Sequence, residues 1–173
     1  MIYFTADTHF DHENIIKLAN RPFKNVEEMN FVLIENWNKI VKENDEVFVL
    51  GDFLFGENSE RASEILNALN GRKYLIKGNH DKYLKKSFDR ELFEWIKDYH
   101  DLKYNKRHFV LFHYPILEWD RCFEGSTHLY GHVHDMRQDE FKNIYNNKKA
   151  MNVGVDVNNY SPISIEQVIQ IFE

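Results

Sequence analysis

Four short clusters of metal-binding residue types punctuate this chain, and each directly follows an apolar run. They are Asp7-Thr8-His9 after Ile2 to Ala6, Asp52 after Val47 to Leu50, Asn79-His80-Asp81 after Leu75 and Ile76, and His132-Val133-His134 after Leu129 and Tyr130. His113 adds a fifth position at the end of the run from Arg107 to Phe112. Imidazole, carboxylate and amide oxygen without thiolate suit Mn²⁺, Fe, Co²⁺, Ni²⁺ or Zn²⁺, and argue against soft-metal or iron-sulfur chemistry. An Asp-x-His pair, or a lone histidine after a strand, carries little by itself. Asp7, His9, Asp52, Asn79, His80, His113, His132 and His134 at the ends of five strands form a joint signal for metal binding. So many ligand-type residues exceed what one tetrahedral ion needs. Two ions sharing one carboxylate would use them, and Asp52 is the natural bridge.

The elements that must position these residues are legible from periodicity. Val47 to Leu50 is too short for a helix and rich in β-branched and aromatic residues, so it reads as a strand buried on both faces. Gly51, Gly78 and Gly131, three of the seven glycines, each stand immediately before a candidate ligand, where a sheet's polar chemistry collects and the backbone must turn or approach a ligand closely. Asn25 and Glu28 resemble a capping box opening a helix with Val26, Met29, Leu33, Trp37 and Ile40 on one face. Ser59 reads as the cap of a second helix bearing Ala62, Ile65, Leu66 and Leu69, ended by Gly71, and Lys73 to Ile76 as the next strand. Two β-helix-β units imply parallel strands covered by helices.

In the second half, Asp81 to Lys97 has an interrupted helical pattern. Tyr99 to Tyr104 and Arg107 to Phe112 form a hairpin about Asn105-Lys106. Leu129-Tyr130 and the run Ala150 to Val157 add strands, with Asn143 to Lys149 as the turn between them. Ser164 and Gln167 cap a last helix. Two packed sheets with helices outside, an αββα sandwich, would bury both sets of strands and gather the strand ends.

Composition sets the class. At 173 residues and 43% hydrophobic content, one domain over residues 1–173 is expected. The single cysteine, Cys122, excludes an internal disulfide framework and any Cys-rich zinc module. The amino terminus opens straight into a strand, no apolar run approaches membrane-spanning length, and a cytoplasmic protein is expected. With net charge -6 and scattered basic residues there is no broad footprint for duplex nucleic acid.

The ordered motifs Asp7-Thr8-His9, Gly51-Asp52, Gly78-Asn79-His80-Asp81, His113 and Gly131-His132-Val133-His134 make the chain resemble the calcineurin-like metallophosphoesterases, in particular their compact bacterial and phage-type members. The match spans positions 7 to 134. The resemblance implies the αββα sandwich and a binuclear centre in which Asp7, His9, Asp52 and His134 hold one ion and Asp52, Asn79, His113 and His132 the other. It also implies Mn²⁺ as the first choice of metal and a metal-bridging hydroxide as nucleophile. His80 would act on the phosphate or the leaving oxygen, with Asp81 either orienting its ring or standing as a helix N-terminal acid. Protein phosphatases of the superfamily continue the second motif as Gly-Asp-x-x-Asp-Arg-Gly, whereas this chain reads Gly51-Asp52-Phe53-Leu54-Phe55-Gly56. The missing Asp-Arg points away from phosphoproteins.

A small phosphate ester or nucleotide is therefore the expected substrate, a phosphodiester ahead of a monoester. A nuclease or dinucleoside polyphosphate hydrolase on the same site is the alternative, and a non-catalytic protein-binding scaffold is the rival of another class. Arg21 could hold a phosphate bidentately or pair with a surface carboxylate. Tyr114, opening the aromatic segment to Gly125, could meet the substrate. His12 could reach the site or stand as a surface histidine, and the surface reading is preferred.

Overall fold

The computed structural model describes residues 1–173. Strand β1 (Ile2–Thr5) leads through helices α1 (Glu13–Leu18) and α2 (Val26–Ile40) to β2 (Glu46–Val49), then through α3 (Ser59–Ala68) to β3 (Arg72–Ile76) and β4 (Ile96–Lys97). β5 (Tyr99–Tyr104), β6 (Arg107–Phe112), β7 (Thr127–Tyr130), α4 (Gln138–Ile144), β8 (Lys149–Asn152), β9 (Ile163–Ser164) and α5 (Ile165–Ile171) complete the chain. The strands form two mixed sheets, β4-β3-β2-β1-β9 and β5-β6-β7-β8, with helices outside, which is the expected αββα sandwich.

Both sheets give one face to a shared apolar layer. Phe4, Phe48, Leu50 and Ile76 of the first sheet meet Phe109, Leu111 and Leu129 of the second, with the Phe4 ring 5.8 Å from Phe48 and 6.3 Å from Phe109. The other face of β1, β2 and β3 is covered by α2 and α3 through Met29, Leu33, Trp37, Ala62, Ile65 and Leu66. That double coverage is why these strands read as continuous apolar runs.

Local chemistry fixes several boundaries. Asn25 caps α2 by accepting from the Glu28 N–H, but the Glu28 carboxylate takes the Lys24 N–H instead of closing a reciprocal box. Asn58, not Ser59, caps α3; Ser59 is buried in the first turn, where its hydroxyl donates to the Tyr83 carbonyl. Asn105 and Lys106 both have positive φ, the hairpin turn that matches strand twist. Ser164 and Gln167 form a complete capping box on α5.

Three longer segments also depart from expectation. Asp81 to Lys97 holds only a short 3-10 turn, Arg90–Leu92, before β4; Tyr83, Phe88 and Phe93 recur every five residues and are all buried, a spacing no single helix face can bury. Asn143 to Lys149 is not a simple hairpin turn. α4 crosses over there, so β8 pairs parallel with β7, and only β5 and β6 form a hairpin. The run from Ala150 to Val157 stops as a strand at Asn152 and turns through a 3-10 segment, Val155–Val157, that carries Asp156 back toward the site.

Candidate metal centre

Beyond the ends of β1 and β2 the two chains stay paired, Asp7 N–H donating to the Gly51 carbonyl at 3.0 Å and His9 N–H to the Asp52 carbonyl at 3.0 Å. This continued ladder is strained, because Asp7, His9 and Asp52 all hold positive φ, as His132 and His134 do beyond β7. Non-glycine residues rarely accept that conformation, and where they do the surroundings over-determine it. Gly51 has φ +89, and a Cβ there would stand 2.5 Å from His113 Nδ1. A Cβ on Gly78 would collide with the Asp52 carboxylate. Both glycines are required by close approach.

The strand ends deliver two ligand groups, Asp7, His9 and His134 in one and Asp52, His113 and His132 in the other, the ligand atoms of each lying within 4.8 Å of one another. Asp52 faces both. Its Oδ2 is 3.6 Å from His9 Nε2 and 3.6 Å from His113 Nε2, while Oδ1 accepts the His80 N–H at 2.8 Å. Asn79 is exposed, but its Oδ1 reaches 3.1 Å from His113 Nε2 and so joins the second group.

Supporting hydrogen bonds aim these ligands. His113 Nδ1 faces the Leu50 carbonyl at 2.7 Å and His134 Nδ1 faces Asp156 Oδ2 at 2.7 Å, leaving Nε2 of each ring for the centre. Asp7 Oδ2 accepts the His132 N–H at 2.8 Å. Asp7 Oδ1 and His9 Nε2 are buried without any hydrogen-bond partner. Such orphans cost free energy unless something answers them, and this nitrogen and oxygen donor set fits a divalent cation.

The electrostatics agree. Burial pushes the Asp7 carboxyl up to about 8 against the pull of the His134 ring, the mark of a carboxylate buried without its counter-charge. Burial also lowers His9, His113 and His132, holding them as the neutral imidazoles that metal binding requires. His134 is raised, because the hydrogen bond to Asp156 and the charge of Asp7 outweigh its burial. Asp156 lies below the usual carboxylate range: burial opposes this, but bonds from His134 and Arg21 prevail.

A calcineurin-like phosphoesterase model matches residues 1–150. The chain belongs to the calcineurin-like phosphoesterase family. It is 40% identical to an uncharacterized protein of Methanocaldococcus jannaschii over 99% of this chain and 91% of that protein. It also superposes on a crystal structure of a protein of unknown function from Aquifex aeolicus with TM-score 0.77 and 30% identity, covering 99% and 98% of the two chains. Nuclease MPE of Pseudomonas putida shares the fold at TM-score 0.51 and 17% identity, over 77% of this chain and 61% of the nuclease. Phosphoesterases of this family use divalent ions, and the two ligand groups are where this member could hold them.

Not every expected residue stands where its assigned role needs it. Arg21 is buried and spent: its Nε and NH2 groups clamp Asp156 at 2.7 and 2.9 Å, and its remaining N–H groups bond the carbonyls of Thr8 and Asp7 at 2.9 and 2.7 Å. It has nothing left for a phosphate, so the substrate role given to it is withdrawn. Asp81 does not orient the His80 ring, nor does it begin a helix; its carboxylate accepts the N–H groups of Asp52, Phe53 and Gly78 at 3.1, 2.8 and 2.7 Å and ties the β2 and β3 ends together. Tyr114 does border the centre, its ring 4.7 Å from His132 and 4.8 Å from His113. Trp119 turns away into a separate buried cluster, while Phe123 is exposed.

His12 is not the surface residue its sequence context favours, and Asp156 is not singled out by the sequence at all. His12 is buried, its Nδ1 3.3 Å from His9 Nδ1 and its ring stacked on Phe55 at 3.7 Å. Asp156 is the middle residue of the Val155–Val157 turn that follows β8, an acid set in an apolar run, which was a local signal available in the sequence. No helix is long and apolar enough to cross a membrane.

Proposed function

We propose that this chain, acting as one domain in the cytoplasm, hydrolyses small phosphodiesters at a pair of divalent cations shared through Asp52. The reading rests on one observation, the equal 3.6 Å approach of Asp52 Oδ2 to His9 Nε2 and His113 Nε2 between two ligand groups. Asp7, His9, Asp52 and His134 would hold one cation, and Asp52, Asn79, His113 and His132 the other. Divalent ions so held, Mn²⁺ first among them, supply Lewis acidity toward the phosphoryl oxygens and toward attacking water.

His80 belongs to neither group. Its backbone is held by Asp52, and its half-buried ring lies 5.5 Å from the His9 ring, which leaves the imidazole for the substrate. There it donates a proton to the departing alkoxide or takes up the developing charge, work on the order of 10² to 10⁴ in rate. Asp81 serves it from behind as a positioning residue, by fixing the loop. Tyr114 borders the other group and limits how a substrate can enter.

Charge separates diester from monoester. A monoester presents a second negative charge, for which such sites need further cations. Arg21 is consumed by Asp156, and no lysine or arginine lines the cleft beside His9, His80 and His134. A diester, with one charge, is the better fit. Loaded with Mn²⁺, the protein should hydrolyse bis-p-nitrophenyl phosphate with higher kcat/KM than p-nitrophenyl phosphate at the same pH; a clear preference for the monoester overturns the assignment. A nuclease would cleave the same bond type, and the fold likeness to one keeps that reading in view. A single-stranded oligonucleotide in the same assay separates the two.

A further inference from the structure

Beside the first ligand group lies a cleft of about 440 Å³ that the metal centre does not explain. One end is formed by His9, His80 and His134. His12 lies beside them, its ring covered by Phe55, and the rest is apolar: Ile15 and Leu18 from α1, Ala19 just after it, Phe55 from the loop after β2, and Met136 from the loop after β7. No carboxylate, lysine or arginine lines it. Leu18, Phe55 and Met136 stay 70%, 40% and 53% exposed at its rim. Three large apolar side chains held open around one concavity, and continuous with a site for chemistry, are a binding surface rather than scattered surface residues.

The cleft lies on one side of the centre only. Phe55 is 5.6 Å from the His80 ring, and its stacking on His12 fixes the ring in place. We infer that the cleft receives an uncharged aryl or alkyl group esterified to the phosphate on the His80 side, and so selects apolar esters over those carrying sugars or further charges. This rests on the phosphodiesterase reading. A charged group would be desolvated there without a partner, and a polyhydroxylated one would lose hydrogen bonds to water that Ile15, Leu18 and Met136 cannot replace. An aromatic group loses nothing polar and fits a volume typical of small-molecule sites.

Two monoanions without a P–O–C ester bond that differ only in their organic part, methyl(1-naphthylmethyl)phosphinate and ethyl(methyl)phosphinate, provide the test. With Zn²⁺-loaded protein, the naphthyl probe should bind on the order of 10-fold or more tightly, the scale of apolar pocket discrimination. Its ring current should shift the Met136 methyl resonance. Phe55→Ala and Leu18→Ser should each bring the affinity ratio toward one while two metals remain bound. Equal affinities in the wild type, a ratio unchanged in both variants, or an unshifted Met136 methyl would overturn the inference. Naphthyl preference in a protein that hydrolyses no phosphate ester would instead overturn the phosphodiesterase reading and leave the cleft standing.

Discussion

Around Asp7, His9 and His134 the support is built from buried side chains, with Arg21 clamping Asp156, Asp156 holding His134 and His12 meeting His9. Around Asp52, His113 and His132 it is built largely from the main chain, through the Leu50 carbonyl behind His113, the His80 N–H on Asp52 and the turn at Gly131, with the Asp81 carboxylate as the side-chain exception. Side-chain support sits at long range in the sequence and can be lost in a single substitution or titration. Main-chain support follows from the strand ends themselves. The first group should therefore be the tunable half of the centre and the second the half fixed by the fold.

The most severe way to break this contrast is to remove what the two halves share. Asp52→Asn deletes the common carboxylate, and metal content measured after reconstitution should fall well below two ions per chain, with kcat/KM down by on the order of 10³ or more. A variant that kept both ions would remove Asp52 from the bridging position.

Acid reaches the second half by another route. His128 is buried behind it, with Nδ1 3.1 Å from the Val110 carbonyl and Nε2 3.2 Å from the carbonyl of Tyr114, beside the centre. Burial pushes this histidine from 6.5 down to about 4. With the folded value below the unfolded one, the unfolded chain takes the proton first. The stabilisation is thus complete above pH 6.5 and is lost as pH falls toward 4. Over that window the wild type should lose about 3 kcal/mol more than His128→Gln in denaturant titrations. Parallel pH curves would remove His128 from the account.

His80→Ala should leave both halves intact and expose the chemistry alone. Two ions should remain bound while kcat falls on the order of 10²; loss of an ion would make His80 a ligand. The mildest variant sharpens the contrast directly. Asp156→Asn should weaken one metal about 10- to 100-fold in competition titrations and spare the other, and if both weaken equally the two halves are not independently supported.

The ligand types and their places were legible because they are local. Each stands within a few residues of a strand end, and the apolar runs that mark β1, β2, β3, β6 and β7 can be read from periodicity alone. The glycines before Asp52, Asn79 and His132 pointed to tight backbone, and both the left-handed φ and the close approach at Gly51 bear that out. The Asp81 to Lys97 segment misled because its aromatics suggested a helix face, whereas Tyr83, Phe88 and Phe93 close the end of the core from irregular chain. Asn143 to Lys149 misled because its asparagines and lysines read as a turn, while Phe141 and Tyr145 in fact anchor the end of α4 in a separate apolar cluster.

By itself, then, the sequence determined which atoms could bind metal, that they gather at one sheet edge, and that no thiolate is among them. Only the tertiary structure decided where the free charges went. Arg21 and Asp156 are 135 residues apart, and nothing in either neighbourhood announces that one neutralises the other. The cost of burying an unpaired charge settles it. Once β8 turns back and brings Asp156 under His134, Arg21 is drawn inward from the phosphate it might have held, and the rim is left to Leu18, Phe55 and Met136. His12, which reads as a surface histidine, is buried by the same convergence of α1 and the loop after β2 against His9.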